Sequence, residues 1–149
     1  MGESRARERG IKPLGFIERI EFSAVDPEAG LLMAPATCLP RLLTASRLGV
    51  ADIDLFEVHE AFAAQVLCNL RAWESGWSRY PDVLPIGGIP EEKLNVNGGS
   101  LALGHPFAAT AGRLIGSTLR ELRRSNLRRA AVSICAAGAM AGAALLSSD

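Results

Sequence analysis

The sequence predicts an α/β domain: a five-stranded, mixed and mostly parallel sheet with helices on both faces, in the order β-α-β-α-β-α-β-β. Three observations carry that expectation. Short apolar runs alternate with polar residues at the strand period and stop at Gly, Pro or Asp. Between them, apolar residues recur about once per helical turn. The chain then closes on two small-residue apolar runs split by a few Ala and Gly, the pattern of two adjacent strands forming an antiparallel edge.

The first strand is expected over residues 14–25, where Phe16, Ile17, Ile20, Phe22 and Val25 are separated by Glu18, Arg19, Glu21 and Ser23, and Asp26-Pro27 ends it. A helix follows over 36–48. Leu39, Leu42, Leu43 and Leu48 share its spacing, Pro40 belongs near its first turn, and Gly49 closes it. Leu55 to His59 reads as a short strand running into a helix from Ala61 to Trp73, ended by Gly76. Residues 76–93, with three glycines and three prolines, read as loop. A brief strand over Leu94–Asn97 precedes Gly98-Gly99. The long helix is expected over Pro106–Arg124, with Phe107, Ala111, Leu114, Ile115, Thr118, Leu119 and Leu122 on one side. Ala130–Cys135 and Met140–Leu146 are the last two strands.

Bulk properties narrow the function classes. A length of 149 residues favours one domain, 1–149, with residues 1–13 as a flexible stretch or linker. Hydrophobic residues make up 48% and charged residues 21%, and 16 basic side chains balance 16 acidic ones, which argues against nucleic acid or an anionic membrane as the main partner. No signal peptide and no transmembrane run is legible. Three cysteines (Cys38, Cys68, Cys135) lack metal-site spacing and read as reduced thiols, so no metal is expected and the location is expected to be cytoplasmic. Six arginines against Glu121 between Arg113 and Arg129 read as a solvated helix end, with phosphate binding as the alternative.

Three motifs sit at predicted strand ends, where α/β sheets collect binding groups. The first, Val58-His59-Glu60-Ala61-Phe62-Ala63, has His59 and Glu60 at a strand-to-helix junction; a solvated helix cap is its structural alternative. The second runs Asn97-Gly98-Gly99-Ser100-Leu101-Ala102-Leu103-Gly104-His105-Pro106. Its glycines permit tight turns and close backbone approach. His105, expected at the helix start where the dipole disfavours an imidazolium, suits a general base toward a thiol; packing for shape is the alternative. In the third, Ser133 to Met140, Cys135 ends a buried strand and is followed by small residues whose backbone N–H groups are open to a substrate oxygen. A buried cysteine serving as a small hydrophobe is the alternative.

Together, HEAFA, NGGSLALGHP and SICAAG, in this order and spacing, resemble the thiolase superfamily over nearly the whole chain. The closest resemblance is to the C-terminal half of the 3-ketoacyl-CoA thiolases with His in the first motif, the branch of the bacterial fatty-acid β-oxidation thiolase and the trifunctional-enzyme β-subunit. The resemblance implies a thiolase-like fold, one half of a five-layer sandwich, with the long helix buried between two sheets. It implies an acyltransferase component acting on 3-ketoacyl-CoA, with acyl-CoA and coenzyme A as substrates and no separate cofactor. By resemblance, His105 activates the nucleophile and helps bind the thioester oxygen, Cys135 moves the proton of the acetyl-CoA methyl, and His59 helps form one oxyanion site. Ala137 and Gly138 belong to a second oxyanion site, with Gly104 and Gly99 in the substrate-binding backbone.

The partners it implies are a thiolase N-terminal half, homo- or hetero-oligomers and a hydratase/dehydrogenase α-subunit. The family's nucleophilic cysteine segment is not found in this sequence, so the chain alone is expected to form no acyl-enzyme; a non-catalytic thiolase-like module or a truncated gene product are the alternatives. Ala111, Ala139 and Ala141 stand where the family often has glycine. Any that needs positive φ costs about 1 kcal/mol.

Overall fold

The computed structural model describes residues 1–149. The chain forms helix α1 (Glu3–Glu8), strand β1 (Phe16–Ala24), helix α2 (Pro35–Ser46), strand β2 (Leu55–Val58) and helix α3 (Ala63–Ser75). Helix α4 (Ser100–Leu103), helix α5 (Thr110–Arg124), and strands β3 (Arg129–Ala136) and β4 (Met140–Ser147) complete it. The stretch expected as a linker therefore contains a short helix, crossed by exposed Arg5–Glu8 and Arg7–Glu3 ion pairs.

The sheet has four strands in the order β1-β4-β3-β2. β2 pairs parallel to β3, while β4 runs antiparallel to both β3 and β1, so three strands share a direction and β4 opposes them. The terminal hairpin thus lies inside the sheet, and the first strand, β1, forms the antiparallel edge. The fifth strand expected at Leu94–Asn97 shrinks to one parallel bridge between Leu94 and Phe56. Asn95 explains the loss. Its φ of 46° turns the chain out of the sheet, and its side chain takes over the strand's pairing. The Asn95 Oδ1 accepts from the Val58 N–H at 2.7 Å, and its Nδ2 donates to the Val58 carbonyl at 2.9 Å.

Alternation along the strands divides the core. Phe56, Val58, Ala131, Ala141, Ala143 and Leu145 face α2 and α3, where Leu39, Leu42, Leu43, Val66 and Trp73 close over them. Leu55, Ala130, Val132, Ala144 and Leu146 face Leu114, Leu119 and Leu122 of α5. The Trp73 Nε1 donates to the Pro35 carbonyl at 3.0 Å and ties α3 to the start of α2.

Two helix boundaries differ from expectation. α2 is closed by Arg47 in the left-handed conformation (φ 57°), ahead of Gly49, and Pro40 lies well inside the helix. The long helix starts at Thr110, not at Pro106, because Ala108 adopts φ 65° and interrupts helical geometry. Phe107 and Ala111, assigned to its apolar side, are exposed. No helix is long and apolar enough to cross a membrane.

Candidate active site

Parallel pairing of β2 and β3 brings the first and third motifs together. Val58 sits beside Ser133, and the His59 N–H continues the ladder onto the Ser133 carbonyl at 2.8 Å. His59 therefore leaves the sheet at the same edge at which Cys135 and Ala136 end β3. The second motif arrives from outside the sheet. Its turn is built on Gly98 (φ 77°) and on Gly99, where a Cβ would lie 2.2 Å from the Glu60 carboxylate. That carboxylate accepts from the Leu101 N–H at 3.1 Å and from Asn95 Nδ2 at 2.7 Å, so Glu60 clamps the turn in place. Gly104 (φ 90°) then redirects the chain, and the His105 ring comes to rest 4.1 Å from the His59 ring, centroid to centroid.

His59, His105, Cys135, Ala137 and Gly138 line one cavity of about 570 Å³, walled by Leu31, Leu32, Phe62, Phe107 and Ile134. Gly99 and Gly104 do not line it; they shape the turn that delivers His105. The helix-dipole argument for His105 lapses, since the helix begins five residues later. Its place is taken by Thr110 Oγ1, 2.6 Å from His105 Nδ1. That hydroxyl donates to the Pro106 carbonyl at 3.2 Å, so the ring N–H is the donor to it, and Nε2 carries the free lone pair.

His59 is only 1% exposed. Burial, reinforced by the neighbouring His105 and Arg113, lowers its pKa to about 4, which keeps the ring neutral near pH 7. Its Nδ1 lies 2.8 Å from Ser100 Oγ, and its Nε2 is buried without a partner. Burial also raises the Cys135 thiol above its ordinary pKa, so the group stays protonated as an acid must. Beyond it, the N–H groups of Ala137 and Gly138 take part in none of the backbone hydrogen bonds.

Of the other cysteines, Cys38 is buried, raised to about 11 by burial, and bonded to the Glu21 carbonyl at 3.3 Å. Cys68 is exposed on α3. Neither lines the cavity. No group of three or more His, Cys, Asp or Glu side chains is placed to hold a metal ion.

Positive φ falls at Ala139 (57°), as anticipated for a glycine-type position, but at neither Ala111 nor Ala141. The second strained alanine is Ala108, which the sequence reading did not single out. Ser100 and Thr110 also went unrecognised as site residues. Each lies at the start of a helix, where a hydroxyl is usually explained by capping.

Two imidazoles, a protonated thiol and two backbone donors without backbone partners thus gather around one cavity at the sheet edge, groups of the kind that exchange protons and stabilise oxyanions. The comparisons with known proteins make the class specific. The family model "Thiolase, C-terminal domain" matches residues 11–148. The 3-ketoacyl-CoA thiolase of Colwellia psychrerythraea is 43% identical over 152 residues, covering 100% of this chain and 35% of that protein. The 3-ketoacyl-CoA thiolase of Salmonella paratyphi B is 44% identical over 154 residues, with the same coverage.

Among solved structures, human mitochondrial 3-ketoacyl-CoA thiolase superposes with a TM-score of 0.82 at 30% identity, over 98% of this chain and 33% of that one. Bacillus anthracis acetyl-CoA acetyltransferase superposes with a TM-score of 0.78 at 32% identity, over 99% of this chain and 34% of that one. The chain belongs to the thiolase family and corresponds to its C-terminal domain. It spans about a third of the length of the curated relatives it matches.

Proposed function

We propose that this chain supplies the acid–base half of a 3-ketoacyl-CoA thiolase site, an acetyl-CoA C-acyltransferase of fatty-acid β-oxidation whose nucleophilic cysteine comes from an N-terminal half. The observation that carries the reading is the single cavity into which His59, His105, Cys135 and the hairpin N–H groups all open, with no further cysteine in its wall.

In that reaction the incoming thiolate attacks the keto carbon of a 3-ketoacyl-CoA. His105 Nε2 takes the thiol proton. The carbon–carbon bond then breaks, its electron pair passes to the departing acetyl-CoA enolate, and Cys135 delivers a proton to that carbon. A second coenzyme A thiol gives its proton to the Cys135 thiolate and displaces the acyl group from the nucleophile, whose sulfur recovers its proton from His105. His59 and the N–H groups of Ala137 and Gly138 are the donors for oxygens that gain charge on the way. Coenzyme A is a substrate here, and no separate cofactor enters the scheme. By the same resemblance, a hydratase/dehydrogenase subunit is the expected larger partner.

Reconstitution tests the reading. The chain is co-expressed with a thiolase N-terminal half, and thiolytic cleavage of acetoacetyl-CoA and a long-chain 3-ketoacyl-CoA is assayed. Activity that disappears on His105→Ala or Cys135→Ala is expected. An inert pair with His105 and Cys135 still ordered would end the proposal. A second reading, a non-catalytic module, draws on the strained alanines Ala108 and Ala139 beside His105 and the oxyanion hairpin. It requires that His105→Ala leave the biological role intact.

A further inference from the structure

Ser100 touches two groups. Arg113 Nη2 donates to its Oγ at 2.7 Å, and its Oγ lies 2.8 Å from His59 Nδ1. A guanidinium only donates, so the Ser100 oxygen is an acceptor in the first contact. The serine hydroxyl has one proton, no other recorded partner, and a buried position. Its proton therefore belongs in the contact with His59, where Nδ1 accepts it. A neutral imidazole carries one N–H; with Nδ1 accepting, that N–H is on Nε2, the buried atom with no partner in the chain.

We infer that Arg113 and Ser100 form a two-residue relay that sets the His59 tautomer, so that His59 presents an N–H and not a lone pair to a carbonyl oxygen in the cavity. This rests on the function proposed above for the site but goes further, since it names what orients its least exposed donor. Ser100 and Arg113 are positioning residues; they act through His59 and do not line the cavity.

The direction of the relay follows from which end is fixed. Arg113 is held on α5, and its bond leaves the serine hydroxyl no reason to turn away from the ring. Without Arg113 the hydroxyl accepts from Nδ1–H as readily as it donates to Nδ1. The buried Nε2 would then carry a lone pair, which repels an oxyanion developing beside the ring. His105 is set separately, through Thr110. The two rings, 4.1 Å apart, therefore have opposite tautomers from two independent hydroxyls: Nε2–H on His59 and Nδ1–H on His105. One ring donates to oxygen while its neighbour accepts from sulfur.

The chain has only 2 histidines, so the test is direct. The intact chain is labelled with ¹⁵N-histidine, and two-bond ¹H–¹⁵N correlations are recorded near neutral pH. The expected spectrum has one ring protonated at Nε2 and one at Nδ1. In Ser100→Ala the first pattern collapses toward a tautomer average and the second persists. Ser100→Thr restores the first pattern. Thr110→Val alters only the second.

The inference is overturned by a wild-type His59 protonated at Nδ1, or by a Ser100→Ala spectrum unchanged from wild type. If Ser100→Ala fails to fold, the wild-type and Ser100→Thr spectra decide alone. In a reconstituted thiolase, Ser100→Ala is expected to lower kcat about tenfold with KM little changed, less than the roughly 10²–10³ lost on deleting an oxyanion donor outright. The spectra need no activity. An inert reconstituted pair therefore counts against the proposed function while the tautomer assignment is judged separately.

Discussion

The two faces of the sheet are finished to different degrees. On the α2/α3 face, 16 buried residues form one core, and Leu39, Leu42, Leu43 and Trp73 are wholly enclosed by the chain itself. On the α5 face the core has 8 residues. The segment leading to α5 leaves Leu101, Leu103 and Phe107 in solvent, Phe107 at 86% exposure. The cavity lies beside that unfinished side. Exposed apolar side chains beside a cavity suit contact with another surface, and the proposed N-terminal half would cover them. The α2/α3 face holds the larger buried core; the segment leading to α5 leaves its large apolar side chains in solvent.

The strongest way to break this contrast is to remove one large apolar side chain from each region. Trp73→Ala is expected to cost about 3–5 kcal/mol in urea unfolding of the chain, since it opens a cavity and removes the bond to the Pro35 carbonyl. Phe107→Ala should stay within about 0.5 kcal/mol while weakening capture of an N-terminal half. Comparable losses in the two variants would mean that the α5 face is as closed as its opposite.

The α5 face also carries an acid that the fold disfavours in its charged form. Burial, opposed by Arg113 and assisted by Glu60, raises Glu57 to about 7 from 4.5. Between those values the unfolded chain loses its proton first, so this group's contribution to stability falls as pH rises from 4.5 to 7. His59 acts in the opposite sense. With its pKa lowered to about 4 from 6.5, its contribution is complete above 6.5 and is lost as pH falls toward 4. The two slopes oppose each other in wild type.

Glu57→Gln should uncover the His59 slope, giving a variant that weakens steadily from pH 6.5 to 4. Above pH 7 the same variant should be more stable than wild type, by on the order of 3 kcal/mol. Parallel stability–pH curves for the two proteins would show that Glu57 does not titrate in this way. Glu121, drawn down to about 2 by Arg124, Ser125 and Asn97, gives up its contribution as pH falls from 4.5 through 2, mostly below this window.

The smallest effect separates the two left-handed alanines. Ala108→Gly should gain roughly 0.5–1 kcal/mol, because relief at φ 65° exceeds the extra freedom of an unfolded glycine. Ala139 is fully buried, so Ala139→Gly also gives up a packed methyl worth about 0.8 kcal/mol, and its net change should be near zero. Equal gains in both variants, measured by denaturant unfolding, would show that the Ala139 methyl contributes nothing to the core.

Much of the site was legible because its residues end strands or follow glycines. His59, His105 and Cys135 sit in motifs whose polar or reactive member interrupts an apolar pattern, and all three line the cavity. The turn residues were less legible. Ala108 carries no sign of its positive φ beyond standing two residues after Pro106. Asn95 reads as an ordinary strand residue until its side chain is seen bonding to Val58 and Glu60.

The chain's own order of residues determined the α/β alternation, most of the apolar faces of the strands and helices, the terminal hairpin and the identity of the His and Cys side chains that line the cavity, because each follows from local period and residue type. Tertiary structure alone decided that β4 lies inside the sheet, that the fifth strand reduces to one bridge, and that the long helix waits until Thr110. It also decided which hydroxyl meets each imidazole. Those contacts join hydroxyls, a carbonyl and a guanidinium across 4 to 41 residues of sequence, and hydrogen bonding of this kind leaves no periodic trace in the chain.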